Sequence, residues 1–406
     1  MKLAFQRKTD RIIGSFICRI FSLFSRKNAS RTVRPGKILV ILLSEMGSLV
    51  LAKPMFERIK QKYPQASVYV LLFEQNKEIL EIIDVVHPEN ILCIRNSSFF
   101  RFVKDSISAL AAIRSIGTDT VIDCELFARI SSIYSFLSGA EIRAGFHPHT
   151  QEGLFRGDFI NRPVLYNPYH HISRQFITLA EAVSSEGMPR VKRSVSEDDV
   201  TTAHIKISAE QIAARLKQFK ADFPNITGKN LILIYPGGGL LPVRAWPLEY
   251  YCRVAQSLLQ SGYSVAVIGM AGDKDMAQAI LSHCQNPDCI DLTGYTKTIR
   301  ELMEIFHFAS LLITNDGGPG HFASMTPISS IIFYGPETPV LYGPLSRNAY
   351  NFYLPLSCSP CITAYNHRNS PCDGNNVCLK NILPEDVLAK AYRILENQGD
   401  NSFTTL

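Results

Sequence analysis

Short unbroken apolar runs alternate along the chain with stretches of helical period, and one plan is written twice. Residues 37–43 (KILVILL) form an apolar run of strand length, followed by a polar loop at residues 44–48. An amphipathic helix is predicted over about 49–62 and a second strand over 67–72. The plan returns with a strand at 231–235 (LILIY), the loop PGGGLLPVRAW, a helix over about 247–261 and a strand at 264–268. Runs without alternation predict strands buried on both faces, and a helix between two of them predicts a parallel β-α-β unit. Further strands are predicted at 90–94, 120–124, 311–314 and 329–333. The chain therefore reads as α/β with two Rossmann-like domains, and its 406 residues suffice for two full cores.

Composition and charge divide it further. Residues 1–35 form a basic amphipathic segment, with nine Lys or Arg against Asp10 alone by residue 34, which leaves the rest of the chain slightly acidic. Ile12, Ile13, Phe16, Ile17, Ile20, Phe21, Leu23 and Phe24 recur there at helical spacing among the arginines. That pattern suits a helix lying on an anionic membrane surface, and its apolar stretch falls short of the roughly 20 residues that span a bilayer. The competing reading is a helix docked on the body, or a disordered arm. The near-neutral body carries no nucleic-acid footprint. Residues 36–195 are read as a first domain, the polar stretch 196–229 as a linker, 230–383 as a second domain and 384–406 as a terminal helix and tail.

Six of the ten cysteines are scattered like small core residues. Cys358, Cys361, Cys372 and Cys378 cluster, with His367 between them. The first pair has zinc-ligand spacing and the second is looser, so a structural zinc and a metal-free packed or redox-sensitive loop both remain open.

Candidate chemistry lies where strands break into glycine. After the run ending at Thr314 come Asp316, Gly317, Gly318, Pro319, Gly320 and His321, a turn whose backbone N–H groups suit an anion. Gly237, Gly238 and Gly239 follow the 231–235 strand, and Arg244 stands ready to clamp a diphosphate. Asp273, beyond the 264–268 strand, is placed to accept hydrogen bonds from ribose hydroxyls. No G-x-G-x-x-G follows either opening strand, which argues against a nicotinamide-dependent dehydrogenase.

Together these residues resemble glycosyltransferase family nine, the ADP-heptose:lipopolysaccharide heptosyltransferases. The family's P-G-(x)n-K/R-x-W-P reads Pro236-Gly237 through Arg244-Ala245-Trp246-Pro247, and its G-x-x-x-D/E runs from Gly269 to Asp273. Its L-x-G-x-T-x-x-x-E-L appears around Leu292, Gly294, Thr296, Glu301 and Leu302. Its D-[ST]-G-x-x-H-x-A becomes Asp316-Gly317-Gly318 through His321 and Ala323. The resemblance implies a GT-B fold, two facing Rossmann-like domains with an interdomain cleft. It implies an inverting transfer of a sugar, heptose from ADP-heptose, to a lipopolysaccharide core or related bacterial surface glycan, with no cofactor and no metal. By it Gly238, Gly239, Arg244, Asp273, Asp316, Gly317, Gly318 and His321 hold the nucleotide sugar. The basic segment would keep the enzyme at the inner face of the cytoplasmic membrane, where lipid-linked acceptors are made.

The first half departs from the family pattern. Its loop usually reads S-x-L-G-D, with the aspartate as the base that deprotonates the acceptor; here it reads Ser44-Glu45-Met46-Gly47-Ser48. A serine is no general base at its ordinary pKa. Glu45 is the leading substitute; Glu125, His147 and His170 are alternatives, and loss or change of activity is the third. Two other readings stay open with it, a transferase using another nucleotide sugar or acceptor and a catalytically silent nucleotide-sugar-binding protein. Arg143-Ala-Gly145-Phe146 matches the family's R-x-G-F. Arg156, Arg162, His170 and Arg174 are read either as contacts for an acidic glycan or lipid phosphate or as solvated surface.

Overall fold

A computed structural model describes residues 3–24, 34–43, 45–147, 155–187, 190–226, 230–239, 241–366 and 368–397. Ser44, Leu240, His367, residues 25–33 of the basic segment, 148–154, 227–229 of the polar stretch and 398–406 of the tail lie outside them. The chain divides into two compact units, Met1–Thr201 with Ala364–Arg368, and Thr202–Thr363 with Asn369–Leu406.

The first unit holds β1 (Lys37–Ile41), β2 (Ser67–Phe73), β3 (Ile91–Ile94), β4 (Thr120–Asp123), β5 (Ile142–Phe146) and β6 (Arg162–Val164). They form one parallel sheet in the order β3-β2-β1-β4-β5-β6. The second unit holds β7 (Leu231–Tyr235), β8 (Ser264–Gly269), β9 (Cys289–Thr293), β10 (Leu311–Asn315), β11 (Ser329–Tyr334) and β12 (Ala349–Tyr353). Its order, β12-β11-β10-β7-β8-β9, is the same arrangement met from the other edge. Both sheets have the doubly wound dinucleotide-fold order, in which loops at the carboxyl ends of the two central strands are adjacent. Those strands are β1 and β4 in one unit, β7 and β10 in the other.

The apolar runs build these sheets because both faces are covered. Leu39, Ile41 and Val121 pack on Ile113 and Tyr134 in the first unit. Ile232, Ile313 and Phe333 pack with Tyr251, Leu258 and Ile394 in the second. Four outer strands, β5, β6, β9 and β12, fall where no apolar run announces them. The helix predicted over 49–62 is two, Met46–Leu51 and Lys53–Lys62, with Pro54 opening the second. The polar stretch 196–229 contains a helix, Ala209–Asp222, started by a capping box between Ser208 and Gln211. Arg215 on that helix pairs with Glu301 and Glu304 (3.2 and 2.7 Å), and Phe219 buries its ring among Phe223, Tyr295 and Phe308.

At the N-terminus, Leu3–Thr9 and Ser15–Leu23 are α-helical and joined by a π-helical stretch, Asp10–Gly14. One face docks on the first unit. Cys18 is fully buried with Ile133, Phe159 and Ile160, and Phe21 stacks on Phe136. The Asp10 carboxylate accepts hydrogen bonds from the backbone N–H groups of Arg129 and Ile130, 2.8 to 3.0 Å away, and so caps the helix Arg129–Leu137 from outside its own chain segment. The opposite face exposes Ile12, Ile13, Phe16, Ile20, Leu23 and Phe24. No helix among the described residues is long and apolar enough to cross a membrane.

Candidate functional site

In the second unit the expected donor residues gather at the carboxyl ends of β10, β7 and β8, three neighbouring strands. Asn315, the last residue of β10, organises them. Its amide nitrogen donates to the carbonyls of Pro236 and Gly237 (2.9 and 3.0 Å), and its oxygen accepts from Trp246 N–H (2.8 Å) and the Tyr251 hydroxyl (3.0 Å). The glycine loop is thus tied at both ends to the central strand. Trp246 anchors the far end by stacking on Phe333 and donating its indole N–H to the Ile382 carbonyl (3.0 Å). A Cβ on Gly238 would stand 2.9 Å from the Leu241 carbonyl oxygen, so this turn requires glycine. Gly239 adopts a left-handed φ of 58°.

Arg244 closes a short turn, Pro242–Arg244, that Asn376 supports by donating to the Val243 carbonyl (2.7 Å). Its guanidinium lies between two buried carboxylates, with Nε 3.3 Å from Asp316 Oδ2 and Nη2 3.3 Å from Glu337 Oε1. Arg244 Nε and Asp316 Oδ2 are nevertheless both buried without an aligned hydrogen bond. Gly317 and Gly318 lead into the helix Gly318–Ala323, which carries His321, 6% exposed. Asp273 curls back in the turn after β8, its Oδ2 accepting from Met270 N–H at 2.8 Å. Burial, and then the charge of Asp273, push the Tyr235 hydroxyl up to about 12. Asn315 and Glu337 are participants that sequence reasoning missed.

In the first unit the carboxylates stand at the ends of β1 and β4. Glu45 opens the helix Met46–Leu51 in extended conformation. The Ser48 hydroxyl donates to Glu45 Oε2 at 3.1 Å, and Arg368 pairs with Oε1. Glu45 therefore brings its carboxylate to the serine that occupies the expected aspartate's place. Glu125 is buried, accepts from Leu43 N–H at 2.7 Å, and is pushed up to about 7 by burial and then by the charge of Asp123, with Glu45 adding to the effect. Burial and the Arg156 charge pull His147 down to about 4, which makes it a weak base. His170 is an exposed turn residue.

Arg156 corrects both readings offered for it. It is fully buried and pairs with Asp123, while donating to the carbonyls of Ala128 (3.0 Å) and Phe146 (3.2 Å) and to Ser131 Oγ (2.8 Å). It neither meets solvent nor faces a glycan. Arg162 is half-buried against the Asn161 and Val183 carbonyls, and Arg174 pairs with Glu197. In the cysteine loop, Cys361 Sγ lies 3.0 Å from Ser370 Oγ and Cys372 Sγ 3.6 Å from Asn376 Oδ1. No group of three or more His, Cys, Asp or Glu among the described residues is arranged to hold a metal ion.

Comparison with known proteins bears on the family and the fold. Residues 111–370 match the family described as Glycosyltransferase family 9 (heptosyltransferase). The chain is 23% identical to lipooligosaccharide heptosyltransferase 2 of Haemophilus ducreyi over 77% of its own length and 87% of the relative's. It is 23% identical to lipopolysaccharide heptosyltransferase 2 of Escherichia coli, covering 88% of this chain and 98% of that one. Among solved structures, E. coli ADP-heptose LPS heptosyltransferase II superposes with a TM-score of 0.68 at 20% identity, over 89% of this chain and 99% of that one.

Proposed function

The chain belongs to glycosyltransferase family 9, and from that premise we propose that it transfers heptose from ADP-heptose to a lipopolysaccharide core with inversion, Glu45 acting as the base. In this reaction the acceptor hydroxyl gives its proton to Glu45, and its oxygen attacks the anomeric carbon. The bond from that carbon to the diphosphate breaks, and the electron pair leaves with ADP. Arg244 and the glycine-turn N–H groups stabilise the departing charge. A carboxylate cannot accept a hydrogen bond from a diphosphate oxygen, so Asp316 is assigned to the sugar's hydroxyls, and Asp273 to the ribose.

The observation that carries the donor assignment is the Arg244–Asp316 pair. One buried donor and one buried acceptor, 3.3 Å apart, lack aligned hydrogen bonds, and such atoms call for a further partner, a role the donor's diphosphate and sugar would fill. The ADP-heptose named for the E. coli neighbour supports the choice of donor. Arg244→Ala is expected to weaken ADP-heptose binding about 10- to 100-fold in calorimetric titration, the value of a charged hydrogen bond. Unchanged affinity would remove Arg244 from the donor site. Tighter binding of a UDP- or GDP-sugar would change the donor.

The same reading places the protein on the inner face of the cytoplasmic membrane. Its support is the exposed stripe Ile12, Ile13, Phe16, Ile20, Leu23 and Phe24, flanked by exposed Lys8, Arg11 and Arg19. The helix Phe99–Ile116 adds a second stripe, Phe99, Phe100, Val103 and Ile107, beside Arg101 and Lys104. Apolar residues edged by cations suit an anionic lipid surface. Deleting residues 1–34 would also remove the Asp10 cap, so the informative variant is Ile13→Gln with Phe16→Gln and Phe24→Gln. It is expected to lose most co-sedimentation with phosphatidylglycerol vesicles at an unchanged melting temperature. Equal sedimentation of variant and wild type would refute the placement.

A further inference from the structure

Glu45 does not hold its position by itself. Its backbone is extended at the start of a short helix, and its side chain is about one-third exposed. Left to rotamer preference, such a side chain would sample several directions. Each carboxylate oxygen instead has a separate donor, Ser48 Oγ on Oε2 and Arg368 Nη1 on Oε1.

Arg368 comes from 323 residues away. The pentapeptide Ala364–Arg368 belongs to the first unit although the chain on both sides of it belongs to the second. Three features fix it there. Ala364 is fully buried, Tyr365 packs edge-on against Tyr166 with ring centroids 5.7 Å apart, and the Arg368 carbonyl accepts from Arg7 Nη1 at 3.3 Å. Arg368 adopts a left-handed φ of 57°, a conformation that costs a non-glycine residue and persists only where its surroundings enforce it. Its side chain is 7% exposed, so the guanidinium is shielded from water while the Glu45 carboxylate keeps about one-third of its surface open.

We propose that Arg368 is the positioning residue for Glu45, orienting the carboxylate between itself and Ser48 and keeping it ionised to receive the acceptor proton. The proposal rests on the reading of Glu45 as the base. A shielded guanidinium against one oxygen favours the charged form of a carboxylate. The chain has exchanged the family's aspartate for a glutamate one turn earlier, with a longer and more mobile side chain. Arg368 and Ser48 together restore the restraint that a shorter side chain would have had. Arg7, on the helix proposed to lie on the membrane, holds the Arg368 backbone, so the restraint also reaches the N-terminal segment.

The test uses the full-length protein with ADP-heptose and a heptose-deficient lipopolysaccharide core as acceptor. In Arg368→Gln the acidic limb of the kcat/KM profile is expected to move about one pH unit upward. kcat should fall roughly tenfold, with ADP-heptose affinity and melting temperature unchanged. Arg368→Lys should recover most of the rate, because it returns the charge without the planar fork. In a Glu45→Gln background Arg368→Gln should add nothing, as expected of two residues acting through one group. A wild-type pH profile in Arg368→Gln, or a lysine variant no better than glutamine, would overturn the proposal while leaving Glu45 in place. Should Arg368→Gln fail to fold, Ser48→Ala removes the other donor to the same carboxylate and should lower kcat several-fold with ADP-heptose affinity unchanged, and a wild-type kcat would count against the proposed restraint. Full activity of Glu45→Gln is a different outcome, in which the assignment of the base falls first.

Discussion

Glu45→Gln is expected to lower kcat for heptose transfer by about two to four orders of magnitude, the usual contribution of a positioned general base. ADP-heptose affinity should stay within about twofold, since the donor residues lie in the other unit and binding does not depend on the base. Glutamine keeps the acceptor for Ser48 Oγ and the length of the side chain. It removes the negative charge and the capacity to take a proton. The control is Glu125→Gln, which preserves an acceptor for Leu43 N–H. Glu125, pushed up to about 7, is partly protonated at neutral pH and is 8% exposed against the body of the unit. Transfer retained in Glu45→Gln and lost in Glu125→Gln, measured by single-turnover product formation, would move the base to Glu125. Loss of neither would reopen the silent-binder reading.

Breaking the buried pair in the first unit should have the largest effect on stability. Asp123 and Arg156 are both fully buried, and Arg156→Met leaves a carboxylate in the interior held, among the described residues, by Ser131, Ser132 and Glu125 N–H. Removing one partner of such a pair costs about 3–5 kcal/mol, to be read from the chemical unfolding transition of the first unit. The pH dependence has a defined sign. Burial raises the Asp123 pKa and the Arg156 charge lowers it, so loss of Arg156 raises it further. A folded pKa above the unfolded value gives stability at low pH that is lost as pH rises. The deficit of Arg156→Met should therefore shrink on acidification, and adding Asp123→Asn should recover part of it at neutral pH. A deficit that is independent of pH would mean that lost packing and carbonyl contacts, rather than the stranded charge, dominate.

The interior of both sheets was legible because β1, β2, β7, β8, β10 and β11 are apolar runs buried on both faces, and such runs need no context to be read. The outer strands lack that signal. β6 has three residues including Pro163, β12 is half-exposed along its length, and β5, though buried, is interrupted by Arg143 and Gly145. Of the site, the glycine turns and Arg244 could be found because backbone geometry and charge leave local marks. Asn315 could not, since an amide at the end of an apolar strand looks the same whether or not it ties down another loop. Glu337 and Arg368 were missed for a related reason. Their partners are distant in sequence, and nothing in a single chain records which cation meets which acid.

The Asp10 cap also sets an order of events. The N–H groups of Arg129 and Ile130 that Asp10 caps are synthesised 119 and 120 residues after it, an interval of roughly 6–24 s at ribosomal rates. Through that interval the buried face around Gly14 and Cys18 has no protein to pack on, and it adds to the stripe that stays exposed in the finished fold. The N-terminal helix therefore docks late, only after the helix Arg129–Leu137 that it caps has been made.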